Sequence, residues 1–419
     1  MKLRMIHVLL AAALTVACSN PAPAPGLPSG TITIGMLTSL TGIDHSLAID
    51  ASVGAQQAVD EANAGGGLSG HRVQLSVEDD SGNAALVPAA LSRLAVRRPA
   101  GVIGPLFASG ELALAPATRL PVVSLSGFDT VVMSGRSMRS NVFLGVPSAS
   151  RSAERMLVYA QASKRTGLAV AHPAGDPFSD QALATLKADA SRFGIAVVDD
   201  EQFDPATTDF GPLLNRVRAS SAKLLVAWGG GSAAPLLTRA WKDSGLEAPL
   251  LLSGARSSTD FLKSTGELGQ GALMEVTASV LAGSPPVPPA VQKQVAGMAS
   301  AFQRAQHYYP SQAAFDGYAG ARLLLAAIAK AGSADPAAID AALEKLSLPT
   351  AAGTFSFSAR DHLGLPASWL QVATIKDGRL SPTASSPPTR PRPRRRGSPR
   401  RSVPPPGCPP ASPSPAPGW

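Results

Sequence analysis

Cysteine is scarce in this sequence of 419 residues, and neither of its two cysteines lies in a segment with the pattern of a folded core. Cys18 follows an apolar N-terminal run, and Cys408 lies in a proline- and arginine-rich stretch. This excludes a disulfide framework and a cysteine-based metal site in the fold. The histidines form no zinc-spaced pair, and no nucleophile elbow of the G-x-S-x-G type occurs. The sequence therefore predicts a protein that is not an enzyme and needs no cofactor or metal.

Acidic residues are outnumbered by basic ones, and the formal net charge is +8. The excess lies at the two ends of the chain. Seven arginines between positions 390 and 401, together with Lys2 and Arg4, carry nine positive charges; removing these nine from +8 leaves about −1 for residues 5–380. A nearly neutral body is not the pattern of a nucleic-acid-binding protein, so no nucleic-acid partner is predicted.

The N-terminus has the pattern of an export signal. Lys2 and Arg4 precede an apolar run over 8–17 that is too short to span a bilayer as a stable helix. The run ends in LTVAC (14–18), which resembles a bacterial lipobox with threonine where leucine is usual. We predict a signal peptide over 1–18, a lipid on Cys18 and a proline-rich tether over 19–30. The protein would then be extracytoplasmic and anchored to the membrane through the lipid. The alternative is an ordinary signal peptide with an incidental cysteine.

From residue 31 onward, short β-branched runs alternate with longer amphipathic runs. This alternation is typical of parallel sheets covered by helices on both faces. It breaks near 142–148 and again near 279–289, and it predicts two α/β lobes with a late return of the chain to the first lobe. Open sheets of this kind bind ligands at the carboxyl ends of their strands, so we expect the site in a cleft between the lobes. The predicted strands cover 31–37, 73–78, 102–104, 121–125, 168–172, 195–198, 224–228, 250–252, 272–276, 353–357 and 370–375.

Two glycine-rich segments and one acidic segment have structural interpretations. The G-x-G-x-x-G at 65–70 follows a helix and precedes a strand, which is the reverse of a dinucleotide fingerprint, so we interpret it as a turn. The GGGS at 229–232 opens a helix after a strand but lacks the lysine of a phosphate-binding loop; it predicts a loop that lines the cleft. The carboxylates at 78–80 end a strand before a turn and are interpreted as turn and capping residues.

An ordered set of motifs identifies the family that the body resembles. They are ITIGMLTSLTG (32–42), GAQQAVDEANAGGGLSG (54–70), VEDDSGN (77–83), GVIGPLFASG (101–110), LPVVSLSG (120–127), AFDGYAGARLLLAAIAKAGSADPAAIDAALEKL (314–346) and FSFSARDHLGL (355–365). The chain from about 31 to 380 resembles the type I periplasmic binding proteins of the leucine/isoleucine/valine-binding family. The resemblance implies two doubly wound parallel-sheet lobes joined by three crossovers. The first lobe would hold 31–147 and 280–354, and the second 148–279 and 355–380.

The segment 106–109 lies between a strand and a helix, so its backbone N–H groups and the Ser109 hydroxyl point to where a ligand carboxylate would lie. The segment 124–128 should flank the same place. The resemblance implies that both segments contact the carboxylate and part of the ammonium of an amino acid. The ligand-binding residues predicted here are Phe107, Ala108, Ser109, Ser126, Gly127 and Phe128.

The sequence departs from the family pattern at several of these positions. Ala108 replaces the usual serine and Phe128 a threonine, whereas Phe178 matches a tyrosine. The glutamate that pairs with the ligand ammonium matches Ala255, with Arg256 beside it. The sequence thus predicts a pocket without an ammonium partner, weaker leucine binding, and a preference for acids that lack the ammonium. If leucine binds, Asp129 or Asp176 is the expected substitute. The predicted aromatic lining is Phe107, Phe128, Phe178 and Trp228.

Residues 381–419 form a proline- and arginine-rich segment that cannot bury enough apolar surface to fold, and we predict that it is disordered. It is either adventitious or a contact with anionic lipid or wall polymer. For the whole chain, we predict capture of an amino acid or related organic acid for the permease of an ABC importer. The alternative is a sensor of the same fold that reports ligand occupancy to a regulator.

Overall fold

The computed structural model describes residues 26–27, 29–42, 45–229, 233–254, 257–284 and 287–383. The predicted lipidation site Cys18 and the predicted ligand residues Ala255 and Arg256 lie outside these ranges, as does the chain beyond Thr383. None of the helices within the described ranges is both long and apolar enough to cross a membrane.

The first sheet has five parallel strands in the order β2-β1-β3-β4-β7. Pairing between β1 and β2 runs in register from Ile32 opposite Val73 to Thr38 opposite Asp79. Near-continuous apolar runs form the strands because helices cover both faces. The strands are β1 Ile32–Thr38, β2 Val73–Asp79, β3 Val102–Ile103, β4 Val122–Ser124 and β7 Val142–Leu144, and the intervening elements are α1 His45–Ala64, α2 Val87–Ala95, α3 Ala108–Ala117 and the hairpin of β5 Met133–Ser134 with β6 Ser137–Met138.

The second sheet has seven strands in the order β16-β15-β12-β11-β10-β8-β9, of which β15 and β16 are antiparallel to their neighbours. Its strands are β8 Gly167–Pro173, β9 Ala196–Phe203, β10 Leu224–Ala227, β11 Leu250–Leu252, β12 Leu273–Thr277, β15 Leu370–Lys376 and β16 Arg379–Pro382. The helices of this part are α4 Ala149–Ala162, α5 Pro177–Asp189, α6 Gly211–Ala219, α7 Ala233–Ser244 and α8 Thr259–Thr265.

After β12 the chain returns to the first sheet and adds further elements to its core. Phe315, on α10, is buried in one cluster with Ile34 and Phe143 of the first sheet. The rings of Phe143 and Phe357 lie 5.3 Å apart in the same cluster. The added elements are α9 Pro289–Gln306, α10 Gln312–Ala331, α11 Pro336–Leu343, β13 Ser347–Thr350 and β14 Gly353–Ser356.

Two boundaries differ from those expected. Phe355, Phe357 and Leu365 pack in the first core, so we propose that the chain crosses to the second lobe after Leu365 rather than after 354. The predicted tail also begins too early at 381. Strand β16 continues to Pro382, which pairs opposite Ala373, and the body therefore includes the first residues assigned to the tail.

The glycine-rich segment 65–70 and the carboxylate segment 78–80 have the structural roles expected of them, whereas residues 230–232 of the second glycine-rich segment lie outside the described residues. Gly67 has a φ of +77°, and a Cβ there would lie 2.1 Å from the carbonyl oxygen of His71, so the segment is a tight turn. The Asp80 carboxylate accepts a hydrogen bond from the Ser39 hydroxyl at 2.7 Å. Glu78 pairs with Arg93 at 2.7 Å. These contacts hold the loops beside the carboxyl ends of β1 and β2.

Candidate ligand-binding site

A cavity of about 810 Å³ lies where the strands of both sheets end. From the first sheet it is lined by the segments that follow β3, β4 and β7. From the second sheet it is lined by the segments that follow β8, β10 and β11 and by the last residues of β12. Ligand sites of open α/β sheets lie at this edge because side chains and helix N-termini converge there. The cavity lies where the sequence predicted a cleft.

The N-terminus of α3 opens into this cavity without a cap. Phe107 is the N-cap residue, and no side chain of the described residues accepts hydrogen bonds from the first N–H groups of the helix. By contrast, Ser148, Asp176 and Ser311 cap α4, α5 and α10 with side-chain oxygens. Free N–H groups at a helix N-terminus attract anions. With the exposed Ser109 beside them, these groups can bind a carboxylate.

The segment after β4 approaches the second lobe closely at Gly127. Its φ is +67°, and a Cβ at this position would lie 2.7 Å from the carbonyl oxygen of Pro147 and 3.0 Å from the ring of Phe178. Beside it, the hydroxyls of Ser126 and Ser124 lie 3.0 Å apart. Gly127 is therefore the residue that permits close approach, and Ser126 supplies the polar group.

Three of the four predicted aromatic residues line the cavity: Phe107, Phe178 and Trp228. Trp228 is only 2% exposed, and its indole Nε1 has no hydrogen-bond partner among the described residues. The prediction for Phe128 is wrong. Its side chain packs in the first-lobe core with Val131 and Val132, because the turn at Gly127 directs the next residue away from the cavity.

Two carboxyl groups that the sequence reasoning missed line the cavity. Glu275, on β12, accepts hydrogen bonds at Oε2 from the Ser152 hydroxyl at 2.9 Å and from the Gly254 N–H at 3.5 Å. Asp316, on α10, accepts one at Oδ1 from Gln312 Nε2 at 2.8 Å. Both are almost fully buried. The pocket was expected to lack an acidic partner for an ammonium, whereas two carboxyl groups line it.

Burial sets the electrostatics of this pair. It raises the pKa of Glu275 to about 7, although Ser152, Gly254 and the charge of nearby Arg155 lower it. Burial likewise raises the pKa of Asp316 to about 8, the hydrogen bond from Gln312 lowers it, and the charge of Glu275 raises it further. Near neutral pH these two carboxyl groups therefore hold protons that an ordinary carboxyl group would have released.

The two acids proposed from the sequence as substitutes have other partners. Asp129 accepts hydrogen bonds from the Ser148 and Ser150 hydroxyls and does not line the cavity. Asp176 lines the cavity, but its carboxylate caps α5 by accepting from the Ser179 N–H at 3.2 Å.

Glu275 carries a signal in the sequence, because it is the one ionisable residue in the otherwise apolar strand LMEVT. Asp316 lies four residues after Gln312 on a helix that is buried along most of its length. A carboxyl group in such a setting is costly unless it has a partner. This signal identifies candidates for a site, but it does not show that the two residues share one cavity.

Two α/β lobes whose strand ends converge on one cavity define a solute-binding protein of the type I periplasmic class. Residues 31–379 match the sequence profile of the family described as periplasmic binding protein. The chain belongs to this family, whose members are binding proteins rather than enzymes and act outside the cytoplasm.

Individual relatives agree with this assignment. The chain is 25% identical to the Leu/Ile/Val-binding protein homolog 3 of Brucella melitensis over 364 residues. This aligned region covers 83% of this chain and 92% of the relative. It has the fold of LivJ from Streptococcus pneumoniae, crystallised with isoleucine (TM-score 0.71, 20% identity, 84% and 97% covered). It also has the fold of a Rhodopseudomonas palustris solute-binding protein crystallised with benzoate (TM-score 0.72, 17% identity, 85% and 97% covered).

Proposed function

We propose that the chain is the substrate-binding component of an ABC importer of the branched-chain amino acid type. It captures an amino acid or a related small carboxylate by closure of its two lobes and delivers it to the permease. The observation that carries this proposal is the uncapped N-terminus of α3, which presents free N–H groups to the cavity. Such a site favours a ligand carboxylate. The isoleucine and benzoate held by the two structural neighbours both carry one.

A thermal-shift screen over amino acids and small organic acids tests the proposal. A ligand present at one hundred times its Kd stabilises the folded state by about 2.7 kcal/mol, so the Tm should rise by several degrees. Ser109→Asp places a carboxylate at the free N–H groups and should abolish this shift, whereas the neutral Ser109→Asn should keep most of it. Equal shifts in both variants would contradict the assignment of the carboxylate to this helix end.

We further propose that Cys18 carries the lipid that holds the protein at the outer face of the membrane, in the periplasm or at the cell surface. Each buried methylene of an acyl chain contributes about 0.8 kcal/mol, so a multiply acylated cysteine anchors stably. Cys18→Ser should release the protein into the soluble fraction after cell fractionation, and Cys408→Ser should not. A Cys18→Ser protein that stays with the membrane would refute the anchor.

A further inference from the structure

We propose that Glu275 and Asp316 together form a cation subsite that binds a protonated amine of the ligand. This inference rests on the proposed function. It adds the second ligand group, an amine, which the proposed function does not specify. The family resemblance assigns the ammonium partner to position 255, which is alanine here. The structure instead presents two carboxyl groups from other elements, strand β12 and helix α10.

The two carboxyl groups reach the cavity from opposite lobes. Glu275 belongs to the second sheet, and Asp316 belongs to the helix that packs into the first core. Glu275 uses Oε2 for its hydrogen bonds from Ser152 and Gly254, and Oε1 accepts none from a described residue. Asp316 uses Oδ1, and Oδ2 is likewise without a described donor. One acceptor oxygen on each side is therefore left for a ligand.

The orientation of Asp316 is fixed by a chain of hydrogen bonds from the second sheet. Thr277, at the end of β12, donates from its N–H at 3.1 Å and from its hydroxyl at 2.7 Å to Gln312 Oε1. With its oxygen occupied, the Gln312 amide directs Nε2 to Asp316. An ammonium that bridges Glu275 and Asp316 would contact both lobes, so its binding would favour the closed arrangement.

The charge balance selects a ligand group with a single positive charge. The residues of the described part that line the cavity include no lysine, arginine or histidine. The positive charge of Arg155, on α4, lowers the pKa of Glu275, but no ion pair between the two side chains occurs among the described residues. Asp176 also lines the cavity, but its carboxylate caps α5. Within the proposed subsite, the carboxylates of Glu275 and Asp316 against the guanidinium of Arg155 leave one negative charge. An ammonium supplies one positive charge and three donors, and it can satisfy both free oxygens.

A second observation, from another residue of the cavity, also points to a ligand. Trp228 lines the same cavity, and its Nε1 is a buried donor with no described acceptor. Buried donors in folded proteins almost always have a partner. A ligand that carries both an acceptor and an amine would serve this donor and the two carboxyl groups together.

Matched ligand pairs test the inference by isothermal titration of the whole chain. Leucine and 4-methylpentanoate share a skeleton and differ by the amine, as do phenylalanine and 3-phenylpropanoate. We expect the amine-bearing member to bind at least tenfold more tightly to the unaltered protein. Glu275→Gln and Asp316→Asn should each reduce that preference by tenfold or more without weakening the acids. Glu267→Gln, which alters an exposed carboxylate of the second lobe, should leave the preference unchanged.

The inference is overturned if the acids bind more tightly, or if both variants keep the preference for the amine. It is also overturned if no amine-bearing probe binds while other compounds in the thermal-shift screen do; in that case the proposed function stands. If a variant fails to fold, a second measurement on the unaltered protein tests the inference. Titration at pH 7 in buffers of different ionisation enthalpy should show proton release with leucine and none with 4-methylpentanoate, and absence of that difference counts against the subsite.

Discussion

Gly317→Ala is expected to lower the free energy of unfolding by about 3 kcal/mol, although it adds a single methyl group to a helix. The added Cβ would lie 1.9 Å from the carbonyl oxygen of Ala51 and 2.6 Å from its carbonyl carbon. Gly54 makes the reciprocal contact, where a Cβ would lie 2.0 Å from the carbonyl oxygen of Ala314. Helices α1 and α10 thus touch backbone to backbone, and neither obstacle is a side chain that can rotate away. Overpacking of this kind costs about 1–3 kcal/mol or more.

Gly297→Ala provides the matched control, because Gly297 lies in α9 and a Cβ there would meet nothing within 4 Å. The same substitution should then stabilise the protein by about 0.5–1 kcal/mol, as alanine is the better helix former. Urea unfolding followed by circular dichroism measures both values. Since α10 carries Gln312 and Asp316, Gly317→Ala should also weaken ligand binding. Equal unfolding midpoints for the two variants would contradict the close packing of α1 on α10.

Much of the fold could be predicted because long buried strands have few alternatives. Runs such as LLVA at β10 and LAVAH within β8 are apolar, β-rich and bounded by turns. Strands β5, β6 and β7, of two or three residues each, and strands β13 and β16 were not predicted. Of these, β13 and β16 each have four residues, are only partly buried and contain a proline, Pro349 or Pro382. Such strands form because a neighbour provides a hydrogen-bonding edge, and that neighbour is not visible in the local sequence.

The candidate site could be predicted only where local sequence determines it. Phe107 and Ser109 were found because a strand-to-helix junction fixes the direction of the N–H groups. Phe128 was assigned wrongly because the backbone turn at Gly127 reverses the side-chain direction. Glu275 and Asp316 are separated by forty residues of sequence and meet only through the assembly of two lobes, so no local pattern could pair them.

The stability of the unliganded protein is expected to fall as the pH rises from about 4 to about 8, and Glu275→Gln or Asp316→Asn should reduce that fall. The ordinary pKa values of the two carboxyl groups are 4.5 and 3.8, and burial raises them to about 7 and about 8. At a pH between the ordinary and the raised pKa values, the folded state holds protons that the unfolded chain has released. Stability then decreases with pH, since the unfolded state binds fewer protons. At about 1.4 kcal/mol per pKa unit, the cost at pH 8 is on the order of several kcal/mol.

The comparison that isolates this effect is the difference between each variant and the unaltered protein, from chemical denaturation at pH 5 and pH 8.5. Burial also raises the pKa of Glu111 to about 8 and of Asp340 to about 7, so these carboxyl groups also make the stability fall as the pH rises. Their contribution is the same in the variants and in the unaltered protein, and it cancels when one stability is subtracted from the other. Each amide variant should therefore gain stability relative to the unaltered protein at the higher pH and little at the lower. Leucine should remove most of this stability difference between variant and unaltered protein at the higher pH, because its ammonium would hold both carboxylates in their charged form. A difference that stays constant with pH would mean that neither carboxyl group is protonated in the empty cavity.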